Sequence, residues 1–290
     1  MDSRTETVRR FYEQAPFPSY APLDTLQAIR RRGDRNRFAR LLDQAISCDA
    51  LVAEIGCGTG QMALYLARGG RVVIGADLTR ASLMLGKRAA RRFGLQQVMF
   101  VETDMRHAGL KHGAFDVVYC SGVLHHTPDP RASFAELATL ARPGGIIVLG
   151  VYNAFARVPS RVRRLAAKLS RFRFVPFDPV LRDRAAEPAR RDAWLRDQYL
   201  HPEEHRHTLA EVQRWFAEND VEFVRSYPSA VLGDEPDDLF APAADNWTFE
   251  GWLAQLGWMW TLGREGGLFF VIGRRGVTMS TTPPFIDPAA

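Results

Sequence analysis

Residues 51–77 read LVAEIGCGTGQMALYLARGGRVVIGAD. Leu51 to Ile55 form a short apolar run that stops at a glycine-rich turn, Gly56-Cys57-Gly58-Thr59-Gly60. A helical stretch, GQMALYLARGG (60–70), closes on glycines, and RVVIGAD (71–77) is a second apolar run. Strand, glycine loop, helix and strand make a βαβ crossover, in which glycine lets the backbone turn sharply and approach a ligand. Asp77 ends the second run 21 residues after Gly56. A carboxylate there can accept hydrogen bonds from both hydroxyls of a ribose. The loop is GxGxG rather than the GxGxxG of dinucleotide sites, and Glu54 precedes it. An acid in that place repels a pyrophosphate and suits a ligand bearing an ammonium group.

The alternation continues outward. A helix is predicted over about 80–92, followed by strands QVMFVETD (97–104) and FDVVYCSG (115–122). A helix over about 130–141 then leads to GGIIVLGVY (144–152). Segment 156–207 departs from this rhythm, being Arg-rich, interrupted by prolines and without a strand pattern. Thr208 to Glu211 is a capping box that opens a helix to about Glu218. Strands VEFVRSYP (221–228) and GLFFVIGRR (267–275) complete the set. The expected fold class is α/β: a Rossmann-like, doubly wound, seven-stranded and mostly parallel sheet with helical lid insertions. The expected divisions are an aromatic and Arg-rich strap at 1–45, a ligand-binding core at 46–153 and a lid at 154–207. The rest of the core follows at 208–275, with a Trp-rich insertion at 229–266, and then a flexible tail at 276–290. Pro16, Pro18 and Pro22 are expected to break any helix in the strap.

With 290 residues, 46% of them hydrophobic and 24% charged, the chain can bury a large core. Disorder, collagen and coiled coil are excluded by that balance. Cys48, Cys57 and Cys120 cannot build a disulfide framework and lie in no CxxC or zinc-type spacing, so no metal is expected and a reducing compartment fits. MDSRTETVRRFYEQ has no apolar centre of the secretory kind, so the expected location is cytoplasmic. No window approaches the roughly 18 uninterrupted apolar residues of a membrane-spanning helix. The net charge of +5 invites a nucleic-acid partner. However, of 38 Lys and Arg only Lys87, Lys111 and Lys168 are lysine, leaving 35 Arg. That skew reads as coding bias rather than selection for phosphate contacts.

The acid-x-GxGxG order resembles the class I S-adenosylmethionine-dependent methyltransferases, of the small-molecule type. The resemblance is close over residues 50–153 and looser beyond. It implies S-adenosyl-L-methionine as cofactor. Residue by residue it reaches Glu54, Gly56, Cys57, Gly58, Thr59, Gly60 and Gln61, then Asp77 and Leu78, then Thr103, Asp104 and Met105. Asp104-Met105 resembles the pair that reads the adenine. FDVVYCSGVLHHTPDP (115–130) resembles the motif in which a strand-end carbonyl helps hold the methionine part, here at Ser121 and Gly122. LARPGGIIVLGVYN (140–153) resembles the next motif. FYEQAPFPSY (11–20) is similar to aromatic segments that fold over the cofactor, with Tyr12 and Tyr20 reaching its carboxylate and Phe11 and Phe17 excluding water. The competing reading packs this segment outside the sheet. One of Arg30, Arg31, Arg32, Arg35 and Arg37 can pair with the same carboxylate.

His125 and His126 follow strand four at the ligand-binding rim, as a base or as structural residues. Tyr199, His201 and His205 form a second cluster for acceptor binding or proton transfer. His201 and His205 have i,i+4 spacing, but Pro202 and the following capping box favour a turn over a metal-binding helix. Trp252, Leu256 and Trp260 share helical spacing that reads as core, while Trp247 or Trp258 is available to a pocket. RVRRLAAKLSRF (161–172) has an apolar face of Val162, Leu165, Ala166 and Leu169. It reads as an amphipathic lid, with RNA or a membrane surface as other partners. The expected activity is methyl transfer to an O, S, N or C atom of a small-molecule acceptor. An RNA methyltransferase docking through the Arg-rich segment stays open, although Ser121-Gly122-Val123-Leu124 replaces the Asn/Asp-Pro-Pro-Tyr/Phe tetrad of base methylators. A noncatalytic cofactor binder stays open as well. Strap and Trp segment are each available to a homodimer.

Overall fold

The computed structural model describes residues 3–18, 25–169, 175, 177–183, 187–201, 203–243, 248–262 and 266–277. Among them, β1 (Leu51–Ile55), β2 (Val72–Asp77), β3 (Val98–Glu102), β4 (Phe115–Ser121), β5 (Ala141–Tyr152), β6 (Val221–Tyr227) and β7 (Leu268–Arg275) form one sheet in the order β3-β2-β1-β4-β5-β7-β6. The first five strands are parallel, and β7 runs antiparallel between β5 and β6. The order reverses at β1 and β4, and such sheets bind ligands outside the carboxyl ends of the strands at that switch point.

The strands are apolar at nearly every position because both faces of the sheet are covered. On one face, Ala53, Ile55, Val118, Leu149 and Phe269 pack under α6 (Pro130–Leu140), α10 (Leu209–Glu218) and α11 (Thr248–Thr261). There Phe134 and Phe216, both fully buried, stack with ring centroids 5.0 Å apart. On the other face, Val52, Val73, Val148 and Ile272 pack under α3 (Arg37–Ala45), α4 (Gln61–Leu66) and α5 (Arg80–Arg92). The buried guanidinium of Arg71 donates to the carbonyls of Ser47 and Ile46 at 2.9 and 2.6 Å and pairs with Asp43, locking the end of α3 to the start of β2.

The amino-terminal part is more helical than the prolines suggest. α1 (Ser3–Gln14) ends before Pro16, and α2 (Leu26–Arg35) and α3 follow Pro22, so the prolines separate helices rather than prevent them. α1 docks on the sheet edge because Glu13 accepts from the backbone N–H of Arg80 (2.9 Å) and Ala81 (3.2 Å), satisfying free donors at the start of α5. Thr208 caps α10 by accepting from Glu211 N at 3.2 Å, as its sequence implies. The Glu211 carboxylate turns instead to His207 Nδ1, 2.9 Å away.

The 154–207 insertion supplies α7 (Val158–Leu169), α8 (Pro179–Asp183), α9 (Pro188–Leu195) and a π-helical turn, Arg196–Leu200. It is laced to the end of β5 by a bridge between Asn153 and His207. α11 corrects the sequence expectation for the Trp segment. The helix buries Ala254, Gln255 and Trp258, with Trp258 against Phe269, and Leu262 is buried just beyond its end. Trp252, Leu256 and Trp260 form its exposed face. Gln255 decides the orientation: its Oε1 accepts from Asn153 Nδ2 (3.1 Å) and Leu209 N (2.9 Å), so this polar side chain must face inward.

Candidate active site

A cavity of about 550 Å³ opens at the carboxyl ends of the parallel strands, within the roughly 300–1,000 Å³ range of small-molecule sites. Its first wall is the glycine loop. Gly56 N and Cys57 N donate to Ala76 O at 2.7 and 3.0 Å, which pins the loop to β2. Gly58 has φ +53°, and a Cβ there would lie 2.2 Å from Phe17 O. Its missing side chain therefore admits the amino-terminal strap as well as leaving the cavity open. Thr59 holds the same strap, N–H to Phe17 O at 3.3 Å and Oγ1 to Pro18 O at 2.6 Å.

Three carboxylates stand along this wall. Asp77 Oδ2 accepts from Gly58 N at 2.8 Å, and Oδ1 from Thr79 N and Oγ1 at 2.8 and 2.6 Å. Burial raises its pKa against the opposing pull of those hydrogen bonds. Glu54 is buried with Oε2 lacking a partner among the described residues, and burial pushes its carboxyl up to about 8. Asp104 behaves oppositely. Burial alone would raise it, but the Arg106 side chain, 2.7 Å from Oδ2, outweighs that and holds it low.

The second wall comes from further apart in the chain. Thr5, Val8, Arg9 and Tyr12 of α1 face Tyr119 of β4, Tyr152 of β5, Trp194 of α9, Gln198 and Leu268 of β7. Behind it lies a buried charge network. The Arg157 guanidinium sits 4.0 Å over the Tyr152 ring and donates to Glu204 Oε2 at 2.9 Å and Gly266 O at 2.8 Å. It also donates to Gln198 Oε1, which orients the Gln198 amide so that Nε2 donates to Tyr152 Oη at 2.7 Å. Burial alone would raise the Glu204 pKa, yet Arg157 holds it below its ordinary value.

His126 stands where the two walls meet. Its Nδ1 lies 2.7 Å from Glu203 O, which can only accept, so Nδ1 carries the hydrogen. Its Nε2 is buried and lacks a partner among the described residues. His201 stacks on its ring at 3.6 Å, and His125 meets it edge-on at 4.2 Å. Burial drives His126 down to about 3 and His125 well below its ordinary range, so both rings are neutral.

Of the residues singled out in the sequence, Tyr12, Glu54, Gly56, Cys57, Gly58, Gln61, Asp77, Leu78, Thr103, Asp104, Met105, Ser121, Gly122 and His126 line the cavity. Phe17 and, of the five arginines, Arg32 do so too. Thr59 and Gly60 do not: Thr59 holds the strap, and a Cβ on Gly60 would meet the Phe100 ring at 2.4 Å. His125 lies behind His126, stacked on Tyr152 at 3.8 Å. His201 supports His126 from outside, against Phe11 and Tyr12. His205 turns to Glu203 at 2.9 Å. Tyr199 is placed elsewhere altogether, its hydroxyl donating to Asp178 Oδ2 in a small core with Trp194. Tyr20 and Trp247 lie outside the described residues. No group of three or more His, Cys, Asp or Glu among the described residues is arranged to hold a metal. The sequence reading missed Arg9, Tyr119, Tyr152, Trp194 and Gln198. Tyr152 ends a strand at the ligand rim and was therefore findable, whereas Trp194 and Gln198 carry no local signal.

Residues 53–149, from β1 to β5, match a family model described as a methyltransferase domain. The chain carries a methyltransferase domain. Over 102 residues it is 36% identical to the ubiquinone biosynthesis O-methyltransferase of Escherichia coli O7:K1, which covers 35% of this chain and 42% of that protein. The chain thus spans less than half the length of this curated relative. Geranyl diphosphate C-methyltransferase from Streptomyces coelicolor A3(2) superposes with a TM-score of 0.54 at 16% identity, over 94% of this chain and 98% of that one. Magnesium protoporphyrin IX methyltransferase from Synechocystis PCC 6803 gives 0.53 at 16% identity, over 95% and 98%. At such identities the likeness establishes the fold alone.

Proposed function

We propose that the chain transfers a methyl group from S-adenosylmethionine to a hydroxyl of a small-molecule acceptor, and that His126 takes the acceptor's proton. The observation that carries this reading is a single cavity whose lining runs from the acid-lined glycine loop to His126, a histidine whose Nε2 lacks a partner among the described residues. The donor set fits the cofactor. Glu54 offers an unpartnered buried oxygen to an ammonium group, and Asp77, held at the end of β2 by Gly58 and Thr79, is the carboxylate for the ribose hydroxyls. Ser121 and Gly122 line the space for the methionine part, and Arg32 is placed for its carboxylate. When bound, S-adenosylmethionine supplies a methyl group made electrophilic by the adjoining sulfonium.

The chain's own residues do the rest. The carbonyl of Glu203 fixes the His126 tautomer, leaving the lone pair on Nε2 to accept a hydroxyl proton. Burial keeps the ring neutral, so Nε2 carries no proton before the acceptor arrives. The stacked ring of His201 and the edge-on ring of His125 hold its plane and exclude water. Tyr12, Tyr119, Tyr152, Trp194 and Leu268 offer flat apolar walls, which suit an aromatic or isoprenoid-like acceptor. The Escherichia coli relative, an O-methyltransferase by name, is in keeping with oxygen as the acceptor atom.

The test uses S-adenosylmethionine labelled in its methyl group, incubated with the protein and a cell extract. Label is expected among small molecules, with its acceptor atom named by mass spectrometry. His126→Ala should slow transfer by about 10²–10⁴-fold at unchanged S-adenosylhomocysteine affinity. Label in RNA would overturn the acceptor assignment. Cofactor binding with no label in any fraction of any extract would favour a noncatalytic role.

A further inference from the structure

The insertion that walls the cavity also carries an apolar surface on its outer side. On α7, Val162, Leu165 and Leu169 are 65%, 63% and 81% exposed, at the spacing of one helical stripe. α11 presents a second exposed apolar face. Phe155, just before α7, packs on Trp252 with ring centroids 5.0 Å apart, and Trp260 is 78% exposed. A shallow groove lined by Pro159, Arg163, Phe177 and Trp260 joins α7, α8 and α11, with Phe177 93% exposed. Scattered exposed apolar residues need no explanation, whereas a contiguous patch of large ones marks an interaction site.

Charge decides between the occupants. α7 carries Arg161, Arg163, Arg164 and Lys168 and no acid. Arg164 is engaged by Glu204, but Arg161, Arg163 and Lys168 form no ion pair among the described residues. A second copy of the chain would bring two acid-free cationic helices together. An apolar stripe flanked by cations, with tryptophans beside it, is the arrangement of a helix lying in the plane of an anionic bilayer. At 12 residues, α7 is about 18 Å long, enough to lie on a bilayer, and no helix among the described residues is long and apolar enough to cross one.

We propose that α7 and the exposed face of α11 form a docking surface for anionic lipid bilayers. The same insertion contributes Trp194 and Gln198 to the cavity, so docking sets the cavity's outer wall beside the membrane. Docking is independent of the catalytic reading, because its measurement needs neither cofactor nor acceptor.

The experiment is sedimentation of the full chain with sucrose-loaded vesicles, either phosphatidylcholine alone or with a third of the lipid as phosphatidylglycerol. Binding is expected to the anionic vesicles, about tenfold or more above the neutral ones, and to fall with added salt. Leu165→Glu with Trp260→Ser should lose about tenfold of the affinity, and Arg161→Ser with Lys168→Ser a similar amount. All four side chains are exposed, so unchanged thermal melts are expected to accompany both losses. Equal binding to neutral vesicles would overturn the proposal, as would no binding to either. So would a stable dimer that Leu165→Glu dissociates, or retention of tRNA in place of vesicles.

Discussion

The two walls of the cavity are held by different physics. Along the glycine loop, the cavity groups are fixed by hydrogen bonds to backbone N–H groups at the end of the parallel strands: the loop to β2, and the Asp77 carboxylate back to the loop. On the lid wall the ladder carries the backbones of Tyr152 and Leu268, but the side chains depend on a buried charge. Tyr152, Gln198 and the turn before β7 are held by one buried cation, Arg157, and its partner Glu204. The first wall is sensitive to a change of backbone, and the second to a change that unbalances its charge. On the proposed reading, a fixed cofactor frame stands beside an acceptor wall set by side chains.

Gly58→Val gives the largest effect expected on the first wall. A φ of +53° alone costs a branched residue roughly 1–3 kcal/mol, and the Cβ would collide with Phe17 O. Calorimetry should find no measurable S-adenosylhomocysteine binding. Because the strap is displaced as well, cleavage by a protease between α1 and α2 should become faster. Binding like that of the wild type would show that the loop does not frame the ligand.

Arg157→Met strikes the second wall. It leaves the buried Glu204 with only the longer contact to Arg164 at 3.6 Å, a loss of up to about 3–5 kcal/mol. Urea unfolding should register that loss, and replacing Glu204 by Met as well should recover much of it. In the double variant S-adenosylhomocysteine affinity should stay at the wild-type value, while acceptor KM rises through the loosened Tyr152 and Gln198. Equal damage to both ligands would mean the two walls are mechanically one.

The same contrast explains what the sequence revealed. β1 to β5 were legible because strands covered on both faces must be apolar throughout, and because Gly56, Gly58, Glu54 and Asp77 lie within one crossover. The lid wall depends on pairs far apart in sequence: Arg157 with Gly266, Gln198 with Tyr152, Asn153 with Gln255. None of these leaves a periodic trace. Tyr199 illustrates the failure. It sits beside Gln198 and the histidines in sequence, yet Asp178 draws its hydroxyl into a separate small core. The Trp252 face misled for a related reason, since apolar spacing marks a helix but Gln255, a polar residue, decides which side turns inward.

Glu54 offers the smallest and sharpest test, because it asks whether the frame is electrostatically tuned to a cation. Its pKa is raised from 4.5 to about 8 by burial. Between those values the folded chain holds a proton that the unfolded chain has released. This carboxyl's contribution to stability is thus fully present below about 4.5 and is lost as pH rises through about 8. A ligand carrying an ammonium group favours the ionised form, so binding near neutral pH should expel a proton. Calorimetry of S-adenosylhomocysteine binding in buffers of differing ionisation enthalpy should report release approaching one proton, fading well above pH 8. Asp77 is also raised by burial, so the share belonging to Glu54 is read from Glu54→Gln, which should abolish most of the release. Release that survives this substitution would move the cation's partner from Glu54 to Asp77 and leave the acid before the glycine loop a structural residue.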